Sequence, residues 1–278
     1  MKKCAILFSG GTDSTCSAAL CAEEFDEIHL LTFYEKATAR SPVPTENLQR
    51  LRDHFREKKF SLATISTDRL VQKLSYENYF PMLWRHGLFM LSTPGFSSLS
   101  WHIRTIAYCL ENGIEHAFDG MTKELLHFPG HMKEFRSLVT DLYAQFGIAF
   151  SSPVINWPVP IDQRFVDRLI VDRHGFLASK NMITGERTTG QYLYDKQIFP
   201  HPNVKGSFFD HRMQHDCYPF VVFNIFVFWV FLGYRDQAAY ERRIEKIFSD
   251  RIKDASLWLK ERQEQPIGAL FAPPNQLF

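Results

Sequence analysis

Residues 4–15 read Cys4-Ala5-Ile6-Leu7-Phe8-Ser9-Gly10-Gly11-Thr12-Asp13-Ser14-Thr15. The apolar run Cys4–Phe8 has the length and character of a short buried strand. A glycine turn follows, and the polar residues after it open a helix. Gly10 and Gly11 let the backbone bend sharply and approach a ligand closely. The amides of a first helical turn have no partner within the helix, and the helix dipole adds positive potential there. Ser9, Ser14 and Thr15 add hydroxyl groups. The expected guest of such a loop is a phosphate, with Ser9, Gly10, Gly11, Thr12, Asp13, Ser14 and Thr15 as its binding residues.

Two common phosphate motifs do not fit. A Walker A loop needs Gly-x-x-x-x-Gly-Lys-Ser/Thr, and no lysine follows here. The Gly-x-Gly-x-x-Gly fingerprint of dinucleotide folds is absent too. An acid, Asp13, stands in the loop instead. A carboxylate beside phosphates repels them unless Mg²⁺ lies between, or unless it only caps the helix. Mg²⁺ takes hard oxygen ligands, so the first option is chemically sound.

Outward from this loop, the first half of the chain alternates strand-like and helix-like segments. Strands are expected at Cys4–Phe8, Ile28–Phe33, Leu62–Ile65, Ala117-Phe118 and Val154-Ile155. Helices are expected from Ser14 to about Glu24, Thr45 to about Lys58, Ile103–Leu110 and Met132–Phe146. This order implies a parallel five-stranded sheet with helices on both faces, a Rossmann-like α/β fold. Ligands of such sheets bind beyond the carboxyl ends of the strands, where the Ser9–Thr15 loop lies. Tyr76–Ser100 breaks the pattern with Pro81, Pro94 and Gly95, and reads as an insertion or lid whose aromatics face a substrate. After Pro158-Val159-Pro160 the alternation stops. A nucleotide-binding domain over 1–160 and a mainly helical substrate or oligomerisation region over 161–278 are expected, with helices at Asp162–Val171 and about Asp236–Glu264 and a poorly ordered tail from Pro266.

Composition excludes several classes. The chain has 278 residues, 45% hydrophobic and 23% charged, which is ordinary for a globular protein. A net charge of +1 argues against a dedicated polyanion binder, so a small molecule is favoured over tRNA. Cys4, Cys16, Cys21, Cys109 and Cys217 are odd in number and contain no Cys-x-x-Cys pair, which fits a reduced cytoplasmic protein. The apolar run after Met1-Lys2-Lys3 is too short for a signal-peptide core. Phe220–Leu232, broken by Asn224, is too short to span a bilayer and reads as buried, with a homodimer interface as the alternative. Phe occurs 26 times, so aromatic packing is expected to dominate a core or an interface.

Ser9–Ser14 resembles the signature Ser-Gly-Gly-x-Asp-Ser of the PP-loop (N-type) ATP pyrophosphatases. The resemblance implies the adenine nucleotide alpha hydrolase-like fold, ATP and Mg²⁺ as cofactors, and cleavage between the α and β phosphates. Such enzymes attach AMP to a substrate oxygen and then displace it with a nitrogen or sulfur nucleophile. Phe118-Asp119-Gly120, His127-Phe128-Pro129-Gly130 with Phe135, and Ser152-Pro153-Val154 are most similar to the cyano-deazaguanine synthase branch. That branch carries four zinc cysteines near its C-terminus. Only Cys217 stands in a comparable place here, so no structural zinc is expected.

The remaining candidates follow from position and chemistry. Asp119 closes the fourth strand at the same sheet edge and is a metal or catalytic candidate, or else a turn residue before Gly120. Lys123 and Lys133 are candidates for neutralising phosphate charge, and His127 and His131 for substrate binding or proton transfer. His211, His215 and Cys217 have zinc-compatible side chains but no fourth partner. Cys109 is a buried hydrophobe or a persulfide carrier, as is Cys217. The leading expectation is adenylation of a small-molecule carbonyl or carboxylate oxygen, followed by displacement of AMP by nitrogen. Thiolation of a nucleobase-like compound or tRNA and a non-catalytic nucleotide-binding module are the alternatives.

Overall fold

The computed structural model describes residues 1–35, 44–77, 79–87, 89, 93–122, 129–158, 188–202 and 225–263. In chain order these form β1 (Lys3–Leu7), α1 (Thr12–Glu24), β2 (Glu27–Tyr34), α2 (Thr45–His54), β3 (Lys59–Ser66), α3 (Asp68–Val71), α4 (Tyr79–His86), α5 (Thr93–Asn112), β4 (His116–Phe118), α6 (Lys133–Ala144), β5 (Ala149–Ser151), α7 (Thr189–Asp195) and α8 (Gln237–Gln263). The strands make one sheet in the order β3-β2-β1-β4-β5. β1 runs parallel to both neighbours, with Ile6 opposite Leu30 on one side and Phe118 on the other. The chain has a Rossmann-like parallel α/β fold. Strand order reverses between β1 and β4, and that is the switch point where such sheets receive ligands.

Two compact units arise. One comprises Met1–Ile65, Glu115–His127 and Phe150–Asp216, and the other Ser66–Ile114, Phe128–Ala149 and Cys217–Phe278. In the first, Cys4, Ala5 and Ile6 of β1 and Ile28, Leu30 and Leu31 of β2 are fully buried. A continuous apolar run of this kind suits a central parallel strand covered on both sides. Ala18, Ala19 and Ala22 of α1 are buried as well, and small side chains let a helix sit close. Tyr192 and Leu193 of α7, with Ile198 and Phe199 beyond it, complete this core. Tyr192 Oη and Lys196 Nζ both donate to Glu23 Oε1, at 2.9 and 2.8 Å, and tie α7 to the far end of α1.

In the second unit the expected aromatic core gathers on α8. The Phe248 ring lies 5.4 Å from Phe96 of α5 and 4.9 Å from Phe135 of α6, edge to face with the latter. A side chain on Gly95 would overlap the Phe248 ring, so the start of α5 needs glycine there. Phe89 meets Phe226, Phe231 and Tyr240 in a second aromatic group.

Several boundaries differ from the sequence expectation. The fifth strand is Ala149–Ser151, while Val154 and Ile155 lie in the following turn. Val154 is fully buried there, so its apolar character serves the core without strand pairing. α2 stops at His54, because the chain turns at Phe55–Lys58 to begin β3 at Lys59. α5 starts at Thr93, since Pro94 falls in its first turn, where a missing N–H costs nothing. Tyr76–Ser100 is therefore largely helical where described. The run around Phe226–Phe231 forms a π-helical turn that is only partly buried. Val227 is 1% exposed, but Ile225 is 51%, Trp229 60% and Val230 50% exposed, so burial of that whole segment does not hold. Asp162–Val171 and the tail from Pro266 lie outside the described residues. Among the described residues no helix is long and apolar enough to cross a membrane.

Two histidines of the second unit carry a pH signature. Burial holds His102, 3.3 Å from Tyr143 Oη, down to about 3. Burial likewise holds His131 down to about 4. Unfolded, each titrates near 6.5. Between those values the unfolded chain binds protons that the folded one refuses, so stability is full above about pH 6.5 and falls with acidification. Each histidine is expected to cost about 2 kcal/mol by pH 5, at ~1.4 kcal/mol per pH unit. Urea unfolding at pH 7.5 and pH 5 measures this, and His102→Gln is expected to flatten the dependence.

Candidate functional site

The switch point is built from two loops. Leu7 ends β1, and Phe8–Gly11 lead into α1; Phe118 ends β4, and Asp119-Gly120 follow. Gly10 adopts φ +82°, a conformation that side-chain-bearing residues resist. Gly11 is the N-cap of α1, and no side chain caps the helix. The intrahelical ladder begins with Thr15 N donating to Gly11 O at 3.0 Å, so the amides of Thr12, Asp13 and Ser14 precede the first helical bond.

The loop carbonyls are held by side-chain donors. Thr32 Oγ1 donates to Phe8 O at 2.8 Å. Asn47 Nδ2 donates to Gly10 O at 2.6 Å. Ser14 Oγ and Thr15 Oγ1 donate to Gly11 O at 3.1 and 2.8 Å. On the other loop, Ser17 Oγ donates to Asp119 O at 2.9 Å. Ser9 Oγ accepts from Gly11 N at 3.3 Å and lies 3.2 Å from Ser14 Oγ. The hydroxyls of Ser14 and Thr15 are thus engaged inside the loop, where they shape it.

Two hydroxyls are not engaged. Thr12 Oγ1 and Thr122 Oγ1 are buried and have no hydrogen-bond partner among the described residues. Thr12 is the first residue of α1, and Thr122 stands two residues past Gly120. An unpartnered buried hydroxyl costs about 1–3 kcal/mol, which a bound oxyanion would recover.

Both expected carboxylates are organised by the protein. Asp13 Oδ1 accepts from Thr189 Oγ1 of α7 at 2.7 Å. Asp119 is 5% exposed, and its Oδ1 accepts from Ser152 Oγ and, at 3.2 Å, from Met121 N. These are hard oxygen donors on the two loops, as Mg²⁺ with phosphate would require. Among the described residues no group of three or more His, Cys, Asp or Glu is arranged to hold a metal ion. Mg²⁺ commonly needs only one or two carboxylates when phosphates and water supply the rest.

Gly120 closes the site sterically. A Cβ there would overlap Ser14 N and Cα and come within 2.8 Å of the Asp13 carbonyl carbon. The first turn of α1 and the end of β4 therefore touch backbone to backbone.

Two other sequence candidates belong to the second unit. Cys109 is fully buried in α5 of the second unit, and Lys133 is exposed at the start of α6. Lys123, His127, His211, His215 and Cys217 fall outside the described residues. Asn47, Thr122 and Thr189 join the site without any motif to announce them, and Ser152, part of the Ser152-Pro153-Val154 resemblance, joins it as a donor to Asp119. The sole signal for Thr122 was its place two residues after Asp119-Gly120.

The fold and site define a Rossmann-like α/β protein with a glycine-bent, amide-lined loop at its switch point. No family model matches the chain. Over 33 residues it is 58% identical to a 7-cyano-7-deazaguanine synthase of Gloeobacter violaceus, a stretch covering 12% of this chain and 14% of that protein. Among solved structures it is similar to a predicted subunit of tRNA methyltransferase from Methanocaldococcus jannaschii, with TM-score 0.34, 17% identity, and 63% and 89% of the two chains covered. It is also similar to a 4-thiouridine synthetase in complex with RNA and bound ATP, with TM-score 0.36 and 10% identity over 92% of this chain and 53% of that one. The chain thus spans about half the length of the synthetase.

Gly120→Ala is expected to push α1 off its seat. Forced overpacking of this kind costs about 1–3 kcal/mol. Thermal unfolding of the variant, with its circular dichroism spectrum retained, measures the effect.

Proposed function

We propose that the chain is an ATP-dependent adenylating enzyme of the PP-loop ATP pyrophosphatase type, acting on a small molecule. The observation that carries this reading is the pair of unpartnered buried hydroxyls, Thr12 and Thr122, beside an uncapped helix N-terminus at the switch point. Three kinds of donor converge there: first-turn amides, the α1 dipole and hydroxyl groups. Together they favour a multiply charged oxyanion. The Ser-Gly-Gly-x-Asp-Ser pattern of Ser9–Ser14 and the short match to a 7-cyano-7-deazaguanine synthase support ATP as the source of that anion.

In this reading the amides of Thr12–Ser14 and the hydroxyls of Thr12 and Thr122 hold the β and γ phosphates. Asp13, oriented by Thr189, and Asp119, oriented by Ser152, are the carboxylates that would hold Mg²⁺, which would neutralise phosphate charge. A carbonyl or carboxylate oxygen of the substrate attacks the α-phosphorus. The new P–O bond forms as the bond from Pα to the bridging oxygen breaks, and pyrophosphate leaves with that oxygen. Ammonia then attacks the activated carbon, the C–N bond forms, AMP departs with the C–O electron pair, and the new nitrogen loses a proton to solvent. Fixed donors aimed at the developing charge are the main protein contribution to such a step.

We take nitrogen as the displacing atom on the state of the thiols among the described residues, which leave out Cys217. Cys4, Cys16, Cys21 and Cys109 are all buried, and a sulfur carrier must reach its acceptor.

The deciding experiment supplies Mg·ATP, ammonium and a panel of heterocyclic carboxylates, and measures nucleotide products. Substrate-dependent AMP and pyrophosphate are expected, and ADP with phosphate would refute the mechanism. Sulfide-dependent turnover in place of ammonium would assign the sulfur branch. Asp13→Ala is expected to lower turnover at least about a hundredfold, the scale of losing one charge-stabilising group.

Thr12→Val and Thr122→Val give a sharper signature. Each removes a hydroxyl that the free protein leaves unsatisfied, so the variant is expected to be as stable as the parent, or more stable by about 1 kcal/mol. The same change is expected to weaken Mg·ATP binding about three- to tenfold, through loss of one hydrogen bond to an anion. Calorimetric melting and isothermal titration measure the two effects in one sample.

A further inference from the structure

The geometry points to Asn47 and Arg50 of α2 as positioning residues that set the anion-binding face of the loop, an inference that rests on the nucleotide reading above. Asn47 is fully buried. Its Nδ2 donates to Gly10 O at 2.6 Å, and its Oδ1 accepts from Arg50 Nη1 at 2.7 Å. A carbonyl can only accept and a guanidinium can only donate, so the two partners together permit one orientation of the amide. Rotating it by half a turn would set Oδ1 against Gly10 O and the amide N–H groups against the guanidinium. Arg50 is therefore the lock and Asn47 the hand on the loop.

The consequence lies on the far side of one peptide bond. The Gly10–Gly11 peptide is planar and trans, so its C=O and N–H point in opposite directions. Holding Gly10 O toward α2 turns the Gly11 N–H toward the interior of the loop, where it meets Ser9 Oγ at 3.3 Å. Gly10, at φ +82°, is free enough to let this peptide flip. A flipped peptide would turn the Gly10 carbonyl toward Ser9 Oγ and the interior of the loop, where it would repel an oxyanion. Other loop carbonyls are held by residues of β2 and α1, whereas Gly10 O is held from α2.

Arg50 is itself seated. Its guanidinium lies 5.9 Å from the Phe199 ring centroid and 3.8 Å from Glu46 Oε2. This posture suits a residue that orients another, in contrast to a mobile cation that reaches for substrate.

The test compares Asn47→Leu, Arg50→Met and Arg50→Lys with the parent by titrating Mg·ATP and inorganic pyrophosphate calorimetrically. The Gly11 amide resonance is followed in the free proteins. Asn47→Leu is expected to weaken both ligands at least about tenfold, and Arg50→Met about three- to tenfold. Arg50→Lys, which still donates to Oδ1, is expected to stay within about twofold of the parent. Asn47→Leu and Arg50→Met are also expected to shift the Gly11 amide, and Arg50→Lys to leave it in place. If Asn47→Leu fails to fold, the Arg50 pair decides the question alone. A parent that binds ATP, with Arg50→Met binding equally well and leaving the Gly11 resonance unmoved, overturns this inference and leaves the proposed function standing. A parent that binds neither ligand overturns both.

Discussion

A loop that is to receive an anion must turn its carbonyl oxygens away, and every carbonyl turned away needs a donor. Around this switch point that requirement governs the placement of side chains. Phe8 O, Gly10 O, Gly11 O and Asp119 O each accept from a side chain, drawn from β2, α2 and α1. The donors are Thr32, Asn47, Ser14, Thr15 and Ser17, small polar residues that are themselves buried. Buried polar groups of this kind are costly unless satisfied, and here each hydrogen bond does two things. It satisfies the donor, and it fixes which edge of a peptide faces the ligand.

The sheet order makes this possible. With β1 between β2 and β4, its carboxyl end is flanked by elements from both sides. β2 and α2 approach from one side, and Asp119-Gly120 from the other. Gly120 lets the β4 loop touch the backbone of Ser14 without a side chain between them. The close approach brings Ser17 within reach of Asp119 O and places Thr122 near the same end of the sheet. Asp119 is fixed in turn by Ser152, just past β5. The site is thus a property of the strand order as much as of the loop.

What was legible in the sequence was local. Cys4–Thr15 announced a strand, a turn and a helix because the apolar run, the glycines and the polar opening are consecutive. The helix expected at about Asp236–Glu264 is α8, whose Tyr240, Ile244, Ile247, Phe248 and Ile252 are buried at helical spacing. The fifth strand was misplaced because Ala149–Ser151 is short and Val154-Ile155 is more apolar; burial and strand pairing are different demands, and only burial shows in composition. The bonding roles of Asn47, Ser152 and Thr189 were invisible for another reason. Their partners lie 37, 33 and 176 residues away, and each is an ordinary polar residue until the chain has folded. Hydroxyl-rich Ser9–Thr15 was legible as a glycine-bent polar turn that opens a helix. Which hydroxyls shape the loop and which one stays unpartnered depends on rotamers that no spacing encodes.

The position of Asp13 reconciles the two expectations that the sequence left open. A carboxylate in the first turn of a helix is stabilised by the dipole, yet it competes with any anion arriving at the same amides. Thr189 Oγ1 donates to its Oδ1 and fixes where that negative charge sits. The hydrogen bond also makes the loop sensitive to α7, which is bound at its other end to Glu23 through Tyr192 and Lys196. A cation brought in with phosphates would draw on the carboxylate, and its hold on Thr189 would change in response. Thr189 and Asp13 are 176 residues apart in the chain, so α7 reaches the glycine-bent loop by contact with its one acidic residue.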